Sequence, residues 1–204
     1  MKIGIFGHSN ARYKNTSGNV RKVCLLVQDH FPNYQINWYG VADSSQDRTV
    51  KLVQKHKSLD LYIIFHSTAQ YVYCPFHTKD FHIHDLKKAA LDGDFFIEFK
   101  KQSELHIGDI PDLQQIIKSY ITWWLPDQKD LELRYKANLI LLKMILKNKN
   151  VVHVADHYPS IKNLINYGRY SKRISDCVYT DETSGSEDFA FAFINEIELF
   201  ETDF

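Results

Sequence analysis

The sequence predicts a three-layer α/β/α domain built on a central parallel sheet. Short apolar runs alternate with segments of helical periodicity. The links between them are short, as strand–helix–strand units with right-handed crossovers require. The 204 residues, 44% hydrophobic and 14% aromatic, suffice for one domain with a sizeable core.

Lys2 to Phe6 is an apolar run ended by Gly7 and predicts a strand buried on both faces. Val20, Val23, Cys24, Val27 and Phe31 recur at helical spacing, which predicts a helix over 19–31, broken by Pro32-Asn33. Tyr34, Ile36 and Trp38 alternate with Gln35, Asn37 and Tyr39, a second strand closed by Gly40. Ser44 or Ser45 caps a helix that runs through His56, with Val50, Leu52 and Val53 inside. The run LYIIF within 60–65 is a third strand, suited to a central position. Leu131 to Lys147 predicts a long helix with Leu133, Ala137, Ile140, Leu141, Met144 and Ile145 on its apolar face. Val151 to Ala155 is the next strand, and a final helix from about Ser186 to Phe200 carries Phe189, Phe193, Ile194 and Ile197.

The alternation is interrupted at about 70–126, so the reading is a single domain over 1–204 with an inserted segment there. Stretches of this length inside a compact domain are functional or carry their own elements. Leu113 to Trp124, just before Pro126, predicts one helix within it.

Composition excludes several classes. With 25 basic and 25 acidic side chains there is no basic excess for nucleic-acid binding. No apolar run approaches the roughly 18–20 residues that cross a bilayer. The opening residues reach Gly7, His8, Ser9 and Asn10 too early for a signal peptide. Cys24, Cys74 and Cys177 are scattered and odd in number, which reads as reduced thiols in a cytosolic setting.

Ligands of doubly wound sheets bind beyond the carboxyl ends of the strands, which puts the turn Gly7-His8-Ser9-Asn10 where chemistry is expected. Three readings of this region stand side by side. Ser9 is a nucleophile whose own N–H helps hold an oxyanion, with Gly7 supplying backbone freedom. Thr16-Ser17-Gly18-Asn19 is a phosphate loop at a helix start, similar to the flavodoxin loop that holds FMN. Or Ser17 or Asn19 is an N-cap and Gly7 a turn residue.

A serine directly after the first strand of a short flavodoxin-like domain is the arrangement of the SGNH/GDSL hydrolases. The chain resembles that family, and most closely its small phage-encoded members that open K-I-G-I-F-G-D-S; Met1 to Asn10 matches except that His8 replaces the Asp. Gly40, in Trp38-Tyr39-Gly40-Val41, matches the family's oxyanion-hole glycine, and Asp43-Ser44-Ser45 is similar to relatives reading Y-G-V-x-G-S-S. After the third strand the family carries an Asn; this chain has His66-Ser67-Thr68. Before the final helix the family carries D-x-x-H; here Asp176 and Asp181 are followed three residues on by Tyr179 and Ser184, and no histidine lies beyond His157.

The resemblance implies an SGNH-type fold and a serine esterase acting on an acyl or acetyl ester, or a catalytically degenerate relative. Ser9 is then the nucleophile, with Ser9, Gly40 and Ser67 as oxyanion donors. His8, His66 and His157 are the surrogate bases, with His153, which also flanks the later strand, a further candidate, and Asp176 and Asp181 are the orienting acids. The implied partner is a small ester or an acylated glycan, with no cofactor, nucleic acid or membrane, in the cytoplasm of a host cell or in a virion. The alternative is a non-catalytic virion or host-interaction protein that keeps the fold and binds other proteins. His77, His82 and His84 offer a weak metal set, since a strand would turn His82 and His84 to one side.

Overall fold

The computed structural model describes residues 1–7, 25–40, 44–67, 69–73, 80–102, 112–124, 127–154, 170–174, 194–195 and 197–198. In chain order these form β1 (Lys2–Gly7), helical residues 25–30 (α1), β2 (Gln35–Trp38), α2 (Gln46–Lys55) and β3 (Leu61–Phe65). There follow β4 (Tyr71–Val72), β5 (Phe81–His82), α3 (Ile83–Leu91), α4 (Gly93–Gln102), α5 (Leu113–Trp124), α6 (Gln128–Ile145), β6 (Asn150–Val154) and β7 (Tyr170–Ile174). Residues 194–195 and 197–198 are also helical.

The main sheet has the order β2-β1-β3-β6-β7 and every pairing in it is parallel. β1 is interior, hydrogen-bonded to β2 on one side and β3 on the other, and β3 holds the middle place that its LYIIF run suits. Successive side chains of a strand point to opposite faces, and the two faces bury different helices. Ile3, Ile5, Ile63 and Phe65 pack with Val27 and Phe31 at α1 and with Ile194 and Ile197. Phe6, Tyr62 and Ile64 pack with Val50 and Val53 of α2 and Leu142 of α6. Helices therefore cover both faces of a parallel sheet, an α/β fold.

Ser45 caps α2 by accepting from the Arg48 N–H, and Asp127 caps α6 by accepting from the N–H groups of Lys129 and Asp130. α5 spans Leu113–Trp124, the predicted bounds. The segment from 70 onward builds a small core of its own, in which Val72, Ile83, Leu86 and Ala89 pack with Leu131 of α6.

Two expectations are corrected, and one strand is added. α6 buries Leu131, Tyr135, Asn138, Leu139 and Leu142, while Leu133, Ile140, Leu141 and Met144 of the predicted apolar face stand exposed. The helix is apolar on two opposite sides, and periodicity alone does not say which side meets the sheet. Sequence patterning points to no strand at β7 (Tyr-Ser-Lys-Arg-Ile), which lies at the edge of the described sheet. His82 and His84 do not share a strand: His82 ends β5 and caps α3, and its Nδ1 accepts from the His84 N–H at 3.2 Å.

Candidate functional site

β1 ends on Gly7 with φ +112°, a conformation that L side chains rarely adopt. A Cβ there would overlap the Phe65 carbonyl, so the chain leaves β1 pressed against the end of β3. β2 closes at Trp38 and leads through Tyr39 to Gly40. β3 passes directly into His66 and Ser67, both buried, and the neighbouring strand β6 contributes His153 from its interior.

The first residue of α2 ties this edge together. Gln46 is buried, and its Oε1 accepts the Ser67 backbone N–H at 3.1 Å. A backbone N–H can only donate, so the orientation of the amide is fixed and Nε2 is the atom that meets His66 Nδ1 at 3.2 Å. His66 Nδ1 is then an acceptor, and the ring carries its proton on Nε2. That proton is donated to His153 Nδ1 at 2.9 Å, which places the proton of His153 on its own Nε2. The tautomers are assigned by this logic of donors and acceptors. Both rings are neutral: burial lowers His66 to about 3, and burial, then the neighbouring His66, hold His153 well below the ordinary imidazole value.

This arrangement has a direct chemical consequence. A general base needs an unshared nitrogen lone pair within reach of the proton it takes. The lone pair of His66 is committed to Gln46 and that of His153 to His66. His66 is thus a buried, doubly engaged imidazole rather than an open base. The Ser67 N–H is likewise committed to Gln46 and is not free for an oxyanion. Its hydroxyl is buried and has no hydrogen-bond partner among the described residues.

A second network fastens the same helix start to the inserted segment. The Asp80 carboxylate, fully buried, accepts from Ser45 N at 2.6 Å, and from Arg48 Nε at 3.0 Å and Nη2 at 2.6 Å. Asp47 accepts from Arg134 Nε at 3.1 Å, and Arg134 Nη1 donates to the Tyr120 hydroxyl at 3.1 Å. Four consecutive residues, Ser45 to Arg48, therefore connect the sheet edge, the insertion and α6. Below them lies a pocket with free volume of about 10 Å³, room for one water, bordered by Gln46, Tyr135 and Asn138.

Of the residues singled out in the sequence, the structure brings His66 and Ser67 together at the carboxyl edge and places Gly40 just beyond the end of β2. Ser9, His8, His157, Asp176, Asp181 and His77 lie outside the described residues, as does the Thr16–Asn19 loop. His82 has both ring nitrogens engaged, Nε2 with Gln70 Oε1 at 2.6 Å and Nδ1 with the His84 N–H. Among the described residues no group of three His, Cys, Asp or Glu side chains could hold a metal. No described helix is long and apolar enough to cross a membrane.

Gln46, Asp80 and the pairing of His66 with His153 were not found from sequence. A signal for Gln46 exists: it precedes Val50 and Val53 by four and seven residues, so it continues their buried face. His153 similarly interrupts an otherwise apolar strand. No family model matches the chain, and no curated protein or solved structure is significantly similar to it.

Proposed function

We propose that the chain is an SGNH/GDSL-like domain, similar to small phage-encoded members, and a catalytically degenerate relative of the ester hydrolases. In this reading the carboxyl edge binds an acyl- or acetyl-bearing ligand, a small ester or an acylated glycan, with weak or absent hydrolysis. The observation that carries it is the double engagement of His66. This imidazole follows the third strand of the sheet, and both of its nitrogens are spent on Gln46 and His153.

Other features support the reading. Counting only the main sheet, the strand order is 2-1-3-4-5, which flavodoxin-like doubly wound domains share. Their switch point lies between the first and third strands, where Gly7 meets Phe65 and where His66 and Ser67 emerge. The resemblance puts Ser9 and Gly40 at that edge as N–H donors, and the buried hydroxyl of Ser67 is a further donor facing no described partner. Loss of a general base lowers hydrolysis by roughly 10²–10⁴.

Hydrolysis of p-nitrophenyl acetate by the wild type and by Ser9→Ala tests this. Equal, slow rates are expected. A robust turnover abolished by Ser9→Ala would show that a base, His8 or His157, serves Ser9 after all. A second reading, a non-catalytic virion or host-interaction protein, is favoured by the exposed apolar face of α6.

A further inference from the structure

We propose that the outer face of α6 docks an amphipathic helix of a protein partner, one that carries acidic side chains along one flank. This holds whether or not the carboxyl edge of the sheet is catalytic. α6 packs onto the domain through Leu131, Tyr135, Leu139 and Leu142. On the opposite side Leu133 is 63%, Ile140 50% and Met144 68% exposed, with Ala137 also exposed between them. Their spacing of four, three and four residues is the seam by which one helix receives another. The helix has 18 residues, about 27 Å at 1.5 Å per residue, long enough to present that seam over several turns.

The edge of the seam selects the occupant. Lys129, Lys136 and Lys143 recur every seven residues and are exposed along one side. None of the three forms an ion pair among the described residues. Pairing with a second copy is disfavoured. An antiparallel arrangement sets Lys136 against its own counterpart and Lys129 against Lys143, and a parallel one sets Lys129 beside Arg134. Glu132, between Lys129 and Lys136, and Asp130, across the seam, interrupt the basic surface that a bilayer of anionic lipid needs, whereas the acids of a partner helix have only to reach Lys129, Lys136 and Lys143.

The test uses two synthetic three-heptad peptides with the same Leu/Ile core, one flanked by Glu and one by Lys, titrated by fluorescence anisotropy against the full chain. The Glu peptide is expected to bind at least about tenfold more tightly, with the difference shrinking at high salt. The variant Lys129→Glu/Lys136→Glu/Lys143→Glu should reverse the preference. Ile140→Asp should abolish binding with a smaller fall in Tm than Leu139→Asp on the buried face gives. Four results would overturn the proposal: no binding of either peptide, equal binding of both, binding to phosphatidylserine vesicles but to neither peptide, or dimerisation of the wild type that Ile140→Asp removes. A fall in Tm for Ile140→Asp as large as that for Leu139→Asp would also overturn it, because the seam would then be covered by the chain itself.

Discussion

His66 and His153 share a hydrogen bond, Nε2 to Nδ1 at 2.9 Å, between the end of β3 and the interior of β6. The bond has one direction, set two steps away where the Ser67 N–H fixes the Gln46 amide. Adding a proton to either ring sets two donors face to face. On His66 it meets the Gln46 amide N–H; on His153 Nδ1 it meets the His66 N–H. Turning the amide to accept the proton withdraws Oε1 from Ser67. The network is built for two neutral imidazoles.

Stability should therefore fall in acid. In the folded chain His66 is lowered to about 3 and His153 well below 6.5, whereas in the unfolded chain both titrate near 6.5. Below about pH 6.5 the unfolded state binds more protons, so the contribution is complete above that pH and is lost as pH drops towards 3. Each ring adds a slope of about 1.4 kcal/mol per pH unit. Urea denaturation between pH 7 and 5 measures it, and His66→Gln/His153→Gln should flatten the curve. Identical slopes in variant and wild type would remove these rings as the cause.

Gln46→Glu should turn His66 into a titrating group. The carboxylate can still accept from the Ser67 N–H, and its second oxygen faces His66 Nδ1, where it favours the imidazolium. The His66 pKa should rise by roughly 1–3 pH units, visible in its ring C–H proton shifts. No rise would mean that burial alone controls the ring.

Asp80→Ala removes the carboxylate that accepts from the Ser45 N–H and from Arg48 Nε and Nη2. The expected loss is about 3 kcal/mol, at the low end for a broken buried pair because the Arg48 side chain keeps 15% exposure. Adding Arg48→Met should recover part of it, since the guanidinium that faced the carboxylate is removed with it. Chemical denaturation of the two variants and of Arg48→Met gives the coupling directly.

Gly7→Ala should destabilise by roughly 1–3 kcal/mol. The methyl group requires both a disfavoured φ and room occupied by the Phe65 carbonyl. A neutral substitution would show that the β1 exit relaxes easily and does not depend on glycine.

Much of the frame was legible in the sequence because its signals are local. LYIIF is a run long enough for one strand and too short for a helix, Ser45 is a capping residue at the right place, and Leu113 to Trp124 is closed by Pro126. What escaped depends on distant partners. Leu133, Ile140 and Met144 repeat as regularly as Leu131, Leu139 and Leu142, so only the packed sheet decides between the faces of α6. β7, at the edge of the described sheet, carries no apolar run for a pattern to show. In the candidate site, His66 was placed correctly at the end of β3. Its role was hidden because its partners, Gln46 and His153, are 20 and 87 residues away.

The central claim, that the lone pairs of His66 and His153 are engaged and both rings neutral, is tested most directly by long-range ¹H–¹⁵N correlation spectra of the histidine rings. His66→Gln and His153→Gln supply the assignments. Both rings should show a proton on Nε2 alone at neutral pH, and should keep that pattern at pH 5 while the chain stays folded. A proton on Nδ1 of His66, or titration of either ring near pH 6.5, would contradict the account.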